Sequence, residues 1–110
     1  MLHGAKLRKA DISISTSGDN TIISDPGDGK FIVIDHINLV PNAAVTIQFK
    51  DGTTNYGGAY SLTSSQGFVL ENSMQDQDGI ITISDSAAFV INLSGAIQVS
   101  GFCRYRIIGE

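Results

Sequence analysis

The chain has 110 residues, of which 16% are charged and 42% hydrophobic, with a formal net charge of −4. That length fits one domain able to bury roughly two thirds of its unfolded surface, and the acidic balance without any Lys/Arg run excludes non-specific nucleic-acid binding, which depends on neutralising phosphates. One cysteine excludes an internal disulfide and a Cys-rich zinc site, and no stretch approaches the roughly 18 consecutive apolar residues of a membrane-spanning helix.

Fifteen isoleucines stand against six leucines. β-Branched side chains lose rotamer freedom in helices and pack well on pleated sheets, so the composition favours strands. A charged fraction below the roughly 25% of an ordinary soluble domain suggests that a partner covers part of the surface. The opening "MLHGAKLRKAD" has no apolar segment after its basic residues, so no leader is expected and synthesis in the cytosol is. Residues 1–9 are expected to form an arm whose Lys6, Arg8 and Lys9 lie across an acidic partner, with the folded domain spanning 10–110.

In "ADISIST", Ala10, Ile12, Ile14 and Thr16 alternate with Asp11, Ser13 and Ser15, the pattern of a half-buried strand. "SGDN" is expected to turn the chain into a second strand, "TIIS". "DPGDG" reads as a loop, with Pro26 fixing one φ and Gly27 and Gly29 free to take positive values. "KFIVIDHINLV" is apolar on both faces in its first half, so either it is a central strand covered on both sides or Phe31 and Val33 meet another subunit. Asp35 and His36 interrupt it. The plain expectation is one side chain in solvent and the other hydrogen-bonded at a sheet edge, the alternative a subunit contact sensitive to acid in the histidine range.

"AVTIQFK" alternates again, with Val45, Ile47 and Phe49 inward. The next stretch, "FKDGTTNYGGAYSL", raises the possibility of a phosphate cradle, but that device needs a helix after the glycines and none follows. A tight turn at Asp51-Gly52 is expected instead, then a long polar loop from Thr53 to Ser65. "FVLE", "GIITIS", "AFVINLS" and "AIQVSGFCRYRII" complete the set. Eight or nine short antiparallel strands without helices predict an all-β fold, a single small β-sandwich of jelly-roll-like form.

Chemistry is sparse along this chain. Cys103 falls on an inward strand face with Ile97, Val99, Tyr105 and Ile107, which predicts a buried, inert thiol. His3 and His36 are too far apart in sequence to suggest a metal site, and none of the twelve serines stands in a G-x-S-x-G elbow. Asp25, Asp28, Asp76 and Asp78 sit in glycine-rich turns that could share a calcium ion, although solvated turns are the simpler reading. No cofactor or metal is expected, and no enzymatic activity.

Three stretches, "HGAKLRKADISISTSGDNTII", "AAVTIQFKDGTTNYGGAYSL" and "INLSGAIQVSGFCRY", together resemble small virion proteins of tailed bacteriophages, most like the decoration or cement proteins of the capsid. The resemblance implies a compact β-sandwich without enzymatic activity. It implies a protein made in the host cytoplasm and carried on the capsid surface, bridging neighbouring capsomers by binding the major capsid protein and its own copies, as a dimer or trimer. The alternative is a tail or fibre head module that recognises a host glycan through the Thr53–Ser65 loop with Tyr56 or Tyr60. Two tyrosines without a tryptophan make a thin stacking platform, and a fibre head is expected to follow a long shaft that these residues do not contain.

Overall fold

The computed structural model describes residues 6–71 and 79–109. Among them there is no helix, and ten strands form: β1 (Arg8–Ile14), β2 (Gly18–Ile23), β3 (Phe31–Pro41), β4 (Val45–Asp51), β5 (Thr54–Asn55), β6 (Tyr60–Leu62), β7 (Phe68–Glu71), β8 (Ile81–Thr82), β9 (Phe89–Leu93) and β10 (Val99–Ile108). The predicted all-β sandwich is what the chain forms.

The ladders are nested. β4 pairs with β5 and β6, β3 with β7 and β8, β2 with β9, and β1 with β10, all antiparallel. The chain is thus one long ribbon doubled back on itself, and its tip is the turn between Asp51 and Thr54. Gly52 takes a φ of 62° there, which the first central position of a two-residue hairpin requires and only glycine adopts without strain. Two further pairings, β10 with β3 and β9 with β4, fold the ribbon into facing sheets. One sheet runs β1-β10-β3-β7 with β8 beside β3, the other β2-β9-β4-β5 with β6 beside β4. Successive strands alternate between sheets over the first half of the chain, the connectivity of a jelly roll.

Alternation along each strand sends one set of side chains between the sheets. Ile12, Ile32, Ile34, Ile37, Leu39, Val99 and Cys103 come from the first sheet and meet Ile23, Val45, Ile47, Phe49, Phe89, Ile91 and Leu93 of the second. Phe49 is the centre of an aromatic cluster, with ring centroids 5.9 Å from Phe68, 5.9 Å from Phe89 and 5.7 Å from Tyr60.

Three expectations about boundaries change. Gly18, Asp19 and Asn20 belong to β2 and pair with Leu93, Asn92 and Ile91. The turn falls earlier, where Asn20 Nδ2 donates to the carbonyls of Thr16 (2.8 Å) and Gly18 (3.1 Å). The Thr53–Ser65 stretch is not one loop, because β5 and β6 pair with β4 within it; a polar sequence suffices there because, of the residues in these two short strands, Leu62 alone is buried. The predicted arm is also shorter on its folded side: Arg8 and Lys9 are already paired with Tyr105 and Arg104, while residues 1–5 lie outside the described residues.

The polar interruption of β3 is a β-bulge. Ile34 pairs with Tyr105 and His36 with Arg104, leaving Asp35 as the extra residue. One added residue reverses the phase of the side chains. Ile32 and Ile34 before the bulge, and Ile37 and Leu39 after it, consequently all point into the core. Across the same pair of strands Gly101 is required by close approach, since a β-carbon there would lie 1.9 Å from the Asn38 carbonyl oxygen.

Candidate interaction surface

The side chains that point away from the core form two unlike surfaces. On the sheet containing β2, β9 and β4, polar groups hold one another. Lys50 Nζ lies 3.1 and 3.0 Å from the two Asp19 carboxylate oxygens, and Asn92 Nδ2 donates to the same carboxylate at 2.7 Å. Asn92 and Lys50 together hold the Asp19 carboxyl below its usual value. Gln48 Nε2 donates to the Phe49, Tyr56 and Gly57 carbonyls, and the Thr46 amide donates to Ser94 Oγ. Polar side chains on this surface are thus held in several hydrogen-bonded groups.

The outer face of the other sheet is built differently. Strand register places Lys9, Arg104, His36 and Glu71 in one transverse row, and Asp11, Phe102, Asn38 and Val69 in the next. The His36 ring stacks on Phe102 at 5.4 Å between centroids. The Phe102 amide donates to Asn38 Oδ1 at 3.3 Å, which turns the Asn38 Nδ2 toward His36 Nε2, 3.1 Å away. A neutral imidazole could accept from this amide through Nε2. Beside this stack, Val69 is 60% and Val40 42% exposed, both large apolar side chains on one sheet face. Lys9 and Asp11 form an ion pair at 3.3 Å with both side chains largely in solvent, a contact of small energetic weight.

Of the residues singled out in the sequence, Lys9 and His36 meet on this face. Lys6 is exposed ahead of β1, and Arg8 is half-buried. Phe31 is half-buried at the start of β3. Val33 cannot serve a partner contact, being 1% exposed. Its outer face is covered within the chain, where a β-carbon on Gly79 would come within 2.6 Å of Val33 Cγ1. The two-sided apolar run is a central strand covered on both sides, the first of the two expectations. Asp35 is neither in open solvent nor at a sheet edge; Arg106 donates to both its oxygens, at 2.6 and 2.7 Å. His36 likewise sits on a central strand.

Tyr56 and Tyr60 are held by the fold. Tyr56 packs against the core and its hydroxyl accepts from the Thr82 amide at 3.4 Å. Tyr60 lies edge-on to Phe68 at 4.8 Å while remaining 39% exposed. Among the described residues the two rings do not stack on each other, so they form no joint platform. Asp25 closes its own turn, accepting from the Gly27 amide at 2.8 Å. Asp76 and Asp78 lie outside the described residues, and among the described ones no three His, Cys, Asp or Glu side chains gather as a metal site. Cys103 is buried, and desolvation pushes its thiol up to about 12.

Phe102, Arg104, Val69 and Glu71 were not singled out from sequence. Their signal was present in β10 at least, because placing Val99, Cys103, Tyr105 and Ile107 inward puts Phe102 and Arg104 outward. What sequence reading lacked was the register that sets them beside His36.

No family model matches the chain, and no curated protein matches it. Among solved structures, the fold is similar to a chain of Bacillus endospore appendages, described as a novel family of disulfide-linked pili, with a TM-score of 0.53. The two are 14% identical over 94% of this chain and 86% of that one. At that identity the likeness is one of fold.

Proposed function

We propose that this chain is a structural subunit of a phage virion, a decoration or cement protein that docks on the major capsid protein and bridges neighbouring capsomers. The observation that carries the reading is the contrast between the two outer faces. One is covered mostly by hydrogen-bonded polar groups, as suits solvent, and the other adds exposed valines, an aromatic stack and solvent-exposed charges, as suits a contact. Many modest contacts repeated over a shell multiply into firm attachment by avidity. The sequence resemblance supports the capsid location. Antibody labelling of purified virions tests it: label on heads is expected, and label confined to tails would move the protein to the tail or fibre reading.

A second reading, a subunit of a fibrous appendage, is favoured by the likeness to the endospore pilus chain. Jelly rolls serve both kinds of assembly equally well. Disulfide linkage is not open to the described fold, because its thiol faces the core between the sheets. Cys103 is expected to resist a thiol reagent at mildly alkaline pH in the native state and to react fully once the chain is unfolded. Prompt native reactivity, or disulfide-linked ladders on non-reducing gels, would favour the pilus-like mode.

A further inference from the structure

We propose that the outer face of the β1-β10-β3-β7 sheet binds a second copy of this chain, face to face, about a two-fold axis lying in the contact plane along the strands. The proposal rests on reading the chain as a building block and names one of its partners. Charge placement selects both the partner and the axis. Among the described residues, Lys9 and Arg104 outweigh Asp11 by one positive charge on the β1 and β10 half of the face, while on the β3 and β7 half Glu71 supplies one negative charge. Arg106 and Asp35 cancel within their own pair.

A rotation about an axis along the strands keeps each transverse row facing itself and reverses the order of strands. β1 of one copy then lies over β7 of the other, and β10 over β3. Lys9 faces Glu71 of the second copy, twice over by symmetry, and Arg104 faces His36. An axis across the strands would instead set β1 on β1 and β7 on β7, leaving Glu71 over a strand that carries no cation. A surface that carries both signs in strips complementary to themselves fits an isologous dimer. Val40, Val69 and the Phe102–His36 stack provide apolar area beside the charged row. The Lys9–Asp11 pair, being solvent-exposed, holds Lys9 only weakly against the exchange.

The test uses the full chain without any shell, so its outcome is independent of virion labelling. Sedimentation over a concentration series compares the protein with Lys9→Glu and Glu71→Lys, whose folding is checked by circular dichroism; both positions are exposed. A reversible dimer is expected, weakened by added salt and weakened about tenfold or more by either substitution, because two attractive contacts become repulsive. An equimolar mixture of the two variants is expected to recover dimerisation, since each then meets its opposite charge. A protein that stays monomeric throughout, a dimer indifferent to both substitutions, or a mixture that fails to recover would overturn the proposal.

Discussion

The two sheets share one core and one alternation rule, yet their outer surfaces differ in how polar groups are satisfied. Around Asp19, Asn92 and Lys50 each polar side chain finds a partner on its own sheet. Around His36, Phe102 and Val69 a short, largely buried charge pair joins Asp35 to Arg106 at the bulge, and apolar carbon is left facing out. The lesson is that in a small sandwich the inner faces are constrained by folding while the outer ones are free to diverge, so the outer faces are where function is read.

The strongest way to break the contrast is to separate the strands that carry the contact face. Gly101→Ala sets a β-carbon against the Asn38 backbone, and neither strand can move without opening the ladder. A loss of about 3 kcal/mol in urea unfolding is expected, with weakened self-association, while Gly95→Ala, which meets nothing within 4 Å, is near neutral. Equal stability of the two variants would show that β10 and β3 are not so closely apposed.

A smaller effect sharpens the role of the bulge. Asp35→Ala removes the carboxylate to which Arg106 donates twice in a half-buried setting, and a cost of about 2 kcal/mol is expected. Unfolding of Asp35→Ala beside Arg106→Ala and the double variant measures the coupling; strictly additive losses would remove the pair as a source of stability.

The smallest effect belongs to the polar face. Because the Asn92 amide and Lys50 keep the Asp19 carboxyl below its usual 3.8, its stabilising contribution is fully present above that value and is lost as pH falls through the lowered one. Asp19→Asn is expected to flatten the acid limb of stability against pH and to leave self-association at neutral pH unchanged. A variant that altered association would show the polar face to be a contact surface as well.

Particular residues show how far the sequence was legible. Alternation in "ADISI" and "VTIQF" puts Ile12, Ile47 and Phe49 on one face each, and these are the buried faces; the turn expected at Asp51-Gly52 is centred one residue later, on Gly52 and Thr53 between the paired Asp51 and Thr54. Asp35 and His36 read in the sequence as a polar interruption and not as a bulge, because a bulge is defined by the partner strand and the sequence does not show which strand that is. The stretch holding Tyr56 and Tyr60 reads as one polar loop for a related reason: nothing in it shows that β5 and β6 pair with β4.

By itself the sequence determined the local terms: strand propensity and which side chains of a regular strand share a face. These follow from φ/ψ preferences and period-two geometry, which act between neighbours along the chain. Tertiary structure alone decided that Lys9, Arg104, His36 and Glu71 stand in one row and that Val33 is covered. Those relations join residues up to 95 positions apart, from Lys9 to Arg104, and depend on strand register, in which a slip of one residue exchanges every inward side chain for an outward one.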